Sequence, residues 1–142
     1  MLSRILVPMD DSETAERALE YALENHPDAD ITVLHSVGGP SMMMGDATGL
    51  LLEEDLDDAA RERAKPVLER ARSVAAEHDR EIDTTVALGH PVRPIIEQAE
   101  QYDAIVMGAH GQHSGKVTRR WLVGNVAKKV FERSPVPVTT VR

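Results

Sequence analysis

Apolar runs of strand length alternate with helix-patterned segments along the whole chain, and that alternation most limits the folds open to it. Arg4 to Met9 (RILVPM) is a short apolar run closed by Asp10-Asp11-Ser12, and it reads as a buried strand with Pro8 near its end. Ser12 is a natural N-cap, and Ala15, Ala18, Leu19, Ala22 and Leu23 then recur at helical spacing to about His26. Pro27-Asp28 ends that helix. Ile31 to Val37 is a second, β-branched strand stopped by Gly38-Gly39-Pro40. A long helix follows from about Glu53 to His78, where Pro66 is expected to kink it or divide it in two. Ile82 to Leu88 alternates as a third strand, Pro94 to Gln101 supplies a short helix, and Ala104 to Met107 is a fourth strand closed by Gly108. A last helix is expected over Gly124 to Arg133, burying Val126, Ala127, Val130 and Phe131, before a final strand at Val136 to Val141. Parallel strands need crossover connections, so the order β-α-β-α-β-α-β-α-β predicts a parallel sheet with helices on both faces.

Composition enters by exclusion. A chain of 142 residues is one domain of ordinary size, and 42% apolar with 28% charged residues is globular. The absence of cysteine removes disulfides, thiolate metal sites and thiol catalysis together. No apolar run approaches membrane-spanning length and the first residues lack a leader pattern, so a cytoplasmic protein with no membrane partner is expected. The net charge of −8 is uneven: Gly108 to Arg133 carries six Lys or Arg against one Glu, and the remainder sums to −13. An acidic surface of this kind repels nucleic-acid backbones, which argues against nucleic acid as a partner.

The basic segment coincides with a glycine-punctuated loop between the fourth strand and the last helix. Glycines let a backbone approach an anion, and the unpaired N–H groups of a helix's first turn point at it, so strand, loop and helix together read as a phosphate cradle. In open parallel sheets, ligands sit at the carboxyl ends of strands where the strand order reverses. If the first and fourth strands are neighbours there, Asp10 would accept hydrogen bonds from a base or ribose while the loop holds phosphates; alone, Asp10 reads as a helix cap or Asx turn. Gly115-Lys116 looks like the end of a P-loop, but His110 stands where its first glycine belongs and Val117 where its Ser or Thr belongs. His110 and His113 form H-x-x-H with no evident third ligand, which favours solvated or phosphate-facing histidines over a metal site. His35, within a strand, reads as a core or cleft histidine with a satisfied ring nitrogen.

Taken together, ILVPMDDSE, LGHPVRPIIEQAEQYDAIVMGAHG and SPVPVTTV resemble the signature blocks of the universal stress protein family over nearly the whole chain. The resemblance implies a three-layer α/β/α sandwich of the adenine nucleotide α-hydrolase-like kind, with a five-stranded parallel sheet of order 3-2-1-4-5. It also implies ATP, with or without magnesium, as the ligand of those members that carry Gly-x2-Gly-x9-Gly-[Ser/Thr]. Here Gly108-x2-Gly111 matches, while twelve residues separate Gly111 from Gly124 and Asn125 replaces the hydroxyl. Carried over by resemblance, Pro8, Met9 and Asp10 line the adenine and ribose side, and Val37 meets the base through its backbone. Met107, Gly108, Gly111, Gly124, Asn125 and Val126 then hold ribose and phosphates. Lys116, in the altered loop, is a further phosphate contact by position. The family's last strand pairs with its twofold mate, so Val136 to Val141 is expected to form a homodimer; Pro135 and Pro137 offer the alternative of a protected monomer edge.

Three functions follow. The first is a nucleotide-binding stress-response regulator with at most slow hydrolysis, since no general base or water-positioning group is evident near the loop. The second is an interaction module without ATP that uses the segment Met42 to Leu52, whose methionines suit an adaptable interface. A slow phosphohydrolase or nucleotidyl-transfer protein ranks last.

Overall fold

A computed structural model describes residues 2–38, 53–109 and 120–142. The elements are β1 (Arg4–Pro8), α1 (Glu13–Asn25), β2 (Asp30–Val37), α2 (Glu53–Glu77), β3 (Asp83–Leu88), α3 (Val92–Ala99), β4 (Ala104–Gly108), α4 (Arg120–Arg133) and β5 (Val138–Val141). The five strands form one parallel sheet, as the alternation predicts, in the order β3-β2-β1-β4-β5 that the resemblance implies.

The central strand β1 is buried on both faces, which is why its sequence is a continuous apolar run and not an alternating one. One face packs under α1 and α2 through Ile5, Val7, Ile31, Val33, Leu19 and Val74. The other packs under α3 and α4 through Leu6, Leu34, Ile105, Ile95 and Val130. Asp103, just before β4, ties these strands at their amino ends: its carboxylate accepts from the backbone N–H groups of Ser3 at 2.8 Å and Arg4 at 2.9 Å. Those two bonds hold its carboxyl below the ordinary value of 3.8. Arg80 closes the turn between α1 and β2, donating to the carbonyls of Leu23 at 3.2 Å and Ala29 at 2.6 Å.

Several boundaries differ from expectation for identifiable reasons. Pro66 lies inside one undivided helix, α2. Both Pro66 and Glu62 face solvent, so water can satisfy the carbonyl that the missing N–H leaves free. The short helix α3 begins at Val92, placing Pro94 in the first turn, where its lost donor has no intrahelical partner anyway. Most consequentially, α4 begins at Arg120 and not at Gly124. Glycine inside a helix costs only about 1 kcal/mol relative to alanine, so Gly124 is no boundary when the good formers Arg120 and Leu122 precede it. Phe131, expected in the core, is 67% exposed, while Ala127 and Val130 are buried and Val126 is half-buried. The inward stripe of α4 therefore runs through positions 126, 127 and 130, and Phe131 falls at its margin.

Candidate ligand-binding site

Ser12 sets the geometry at the carboxyl end of β1. Its side chain accepts from the Ala15 N–H at 3.1 Å and so caps α1, as read from the sequence. Asp10 Oδ1 accepts from the Ser12 N–H at 2.9 Å, which is the Asx-turn alternative for that residue. The turn brings the amino end of α1, with its partial positive charge, to the end of the sheet.

There the switch point between β1 and β4 holds a cavity, at the place where open parallel sheets bind ligands. Its wall is built from the ends of three strands: Pro8, Met9 and Asp10 after β1, Leu34, His35 and Ser36 from β2, and Met107 and Gly108 from β4. Ser12 and Ala15 of the α1 cap, Pro91 and Ile95 of α3, and Val126 and Ala127 of α4 complete it. Backbone bonds fix the wall. The Met9 N–H donates to the Leu34 carbonyl at 2.8 Å, and the Met9 carbonyl accepts from His35 Nδ1 at 2.7 Å. Ser36 Oγ donates to the Gly89 carbonyl at 2.6 Å.

Of the residues singled out from sequence, Pro8, Met9, Asp10, Met107, Gly108 and Val126 meet around this cavity. Val37 does not line it. Its side chain is buried on the α1–α2 side, and its carbonyl accepts from the Gly89 N–H at 2.9 Å. Gly124 and Asn125 lie in the second turn of α4, so within the helix the N–H groups without an intrahelical acceptor belong to residues 120–122. Gly111, Lys116, the two loop histidines and the segment Met42 to Leu52 lie outside the described residues. Among the described residues, no group of three or more His, Asp or Glu is placed to hold a metal, and no helix is long and apolar enough to cross a membrane.

Gly108 has a packing role that the cradle argument did not anticipate. A Cβ there would stand 2.9 Å from both the carbonyl carbon and Oγ1 of Thr14 and 3.0 Å from the Ala15 N. Gly108 thus lets β4 lie directly on the first turn of α1. A second close approach joins Gly38 to Gly89, whose φ of +99° suits only glycine. Sequence reasoning did not place Ser36, Pro91 or Ile95 at the site. His35, read from the sequence as a core or cleft histidine with a satisfied ring nitrogen, is among the residues that line the cavity, with Nδ1 bonded to the Met9 carbonyl.

Fold and cavity together define an open parallel α/β protein with a cavity at its topological switch point. The chain belongs to the universal stress protein family, whose sequence profile matches residues 1–142. It is 28% identical to a universal stress protein of Methanocaldococcus jannaschii over 100% of this chain and 96% of that one. The solved structure of universal stress protein UspA from Lactobacillus plantarum has a TM-score of 0.73 at 29% identity, covering 99% of this chain and 97% of that one. A universal stress protein from Archaeoglobus fulgidus, solved in complex with dAMP, has a TM-score of 0.66 at 26% identity, covering 99% and 98%.

Proposed function

We propose that the cavity takes an adenine nucleotide, ATP with or without magnesium, and that the protein is a homodimeric, cytoplasmic stress-response regulator with at most slow hydrolysis. The observation that carries this reading is the cavity's position and lining. Three strand ends converge on it at the switch point, with an apolar floor and a few oriented polar groups. The dAMP complex of the Archaeoglobus fulgidus relative supports that ligand class. On this reading Pro8, Met9 and Asp10 face the base and ribose, while Met107, Gly108 and Val126 face the ribose and the first phosphate. Further phosphates would lie toward the N–H groups of residues 120–122 at the start of α4, within the chain's one basic stretch. Gly111, Lys116, Gly124 and Asn125 belong to that phosphate end on the family resemblance alone.

The test is calorimetric titration of nucleotide-free protein with ATP, with and without magnesium, beside Val126→Glu. The half-buried Val126 can accept a carboxylate at the wall, and thermal melting checks that the variant folds. Micromolar binding that Val126→Glu abolishes supports the reading. No heat from ATP, ADP or AMP with the wild type would sink it. The dimer rests on β5, a sheet edge with exposed Thr139 and Thr140, preceded by the exposed Phe131. Sedimentation should give a dimer that Thr139→Lys weakens by cross-strand repulsion; a wild-type monomer at high concentration would overturn it.

A further inference from the structure

We propose that the groove between α3 and α4 docks a short acidic segment of a partner protein, one that carries an apolar side chain among its carboxylates. The groove shares no lining residue with the switch-point cavity, and the proposal does not depend on the nucleotide reading.

The two helices pack side by side over one face of the sheet, with Ile95 of α3 and Val130 of α4 in the same core cluster. A groove remains between them, lined by Val92, Arg93 and Ile96 from α3 and by Lys129 and Arg133 from α4. Arg93, Lys129 and Arg133 are exposed, while Ile96 is half-buried. Cations thus stand on both helices beside a partly apolar strip.

The ion pairs of this region single out two of those cations. Arg93 is paired with Glu97 at 2.8 Å, and Lys128 reaches Glu132 at 4.0 Å. Lys129 and Arg133 have no acidic partner among the described residues. They stand four positions apart on α4, where like charges are neighbours and weaken the helix. The carboxyl end of the helix favours Arg133, but that effect fades beyond the last turn and does not account for Lys129. Carboxylates brought by a partner would relieve the repulsion, and an apolar side chain between them would cover Ile96.

The charge of the whole chain decides what kind of anion fits. At −8 overall, the protein repels a long polyanion such as nucleic acid wherever that polyanion extends past the groove. A short acidic peptide meets only the groove, and a helix laid between two helices is a common mode of peptide recognition.

The experiment follows the fluorescence anisotropy of a labelled peptide of Glu-Leu-Glu-Glu repeats on the full chain. A Gln-Leu-Gln-Gln peptide and a DNA duplex are the comparison probes. Lys129→Glu and Lys128→Glu make the same charge change at adjacent positions, one lining the groove and one not. Lys129→Glu also sets a carboxylate beside Arg133, which should support the helix, and thermal melts establish that both variants fold. The acidic peptide should bind, and weaken as salt rises, while the Gln peptide should not bind. Lys129→Glu should weaken the acidic peptide about tenfold or more, and Lys128→Glu by less than about threefold. Equal losses in the two variants would overturn the proposal, because they would mean a diffuse attraction to α4. So would a wild type that does not bind the acidic peptide, or a duplex bound as tightly as the peptide. Self-assembly in sedimentation that Lys129→Glu removes would also overturn it, by making a second copy of the chain the occupant.

Discussion

Replacing Gly108 with alanine tests how tightly the sheet end is pressed onto α1. Gly108 is not in the left-handed region, so an alanine meets no backbone strain there. It should even stabilise by about 0.4–1 kcal/mol through the unfolded chain. Against that, the added methyl would stand 2.9 Å from the Thr14 carbonyl carbon and 3.0 Å from the Ala15 N, which are backbone atoms of the first turn of α1. Overpacking of this kind costs about 1–3 kcal/mol, so the net loss should be about 1–2 kcal/mol. For 142 residues the unfolding entropy is about 0.3 kcal/mol/K, which makes the loss a fall of about 3–7 °C in melting temperature. Scanning calorimetry reads it directly. The double variant Gly108→Ala/Thr14→Ala removes the Oγ1 contact at 2.9 Å and leaves both backbone contacts, so it should recover less than half of the loss. An unchanged or higher melting temperature for Gly108→Ala would refute the reasoning, because it would mean that α1 slides freely over β4.

Gly38→Ala should cost a similar amount, about 1–3 kcal/mol by urea unfolding, since its Cβ would stand 2.8 Å from the Gly89 Cα and N. Gly89→Ala meets no atom within 4 Å, so its loss, about 1–2 kcal/mol, should come from the +99° φ alone. His78 places Nδ1 at 3.0 Å from the Val74 carbonyl and Nε2 at 3.3 Å from Glu24. The carbonyl first and the carboxylate second raise its pKa above the ordinary 6.5. A raised folded-state value favours the protonated native form, so this contribution is complete below pH 6.5 and fades as pH rises through the raised value. Urea midpoints from pH 6 to 9 should fall less steeply in His78→Gln than in wild type. Asp103 has the opposite sign: its lowered pKa gives stability that is present above pH 3.8 and lost as pH falls through the folded-state value. Asp103→Ala should melt below wild type at pH 7, with the gap closing in strong acid.

What could be read from the chain was whatever depends on near neighbours. The apolar run of β1, the Ser12 cap and the alternation of elements are local, and with parallel crossovers they give a parallel sheet, whose strand order came from the family resemblance. Contacts between distant residues were not legible. His35 meets Met9 only through the pairing of β1 with β2, and Gly38 meets Gly89 across the ends of β2 and β3. Gly124 misled as a helix boundary, because a glycine that sits inside a helix looks like one that opens it. Phe131 has the spacing of a core residue, yet the inward stripe of α4 runs through Val126, Ala127 and Val130 and leaves it outside.

The order β3-β2-β1-β4-β5 also has a consequence for how the chain is made. Residues Ile5 and Leu6 pair on one side with Ile31 and Thr32, but on the other with Ala104 and Ile105. At ordinary synthesis rates of about 5–20 residues per second, that second partner emerges roughly 5–20 s after β1. Through that interval this apolar strand has one open edge, the kind of surface that recruits a neighbouring nascent chain. The middle of the finished sheet is thus its most exposed part during birth, and chaperone demand should concentrate in the window before β4 emerges.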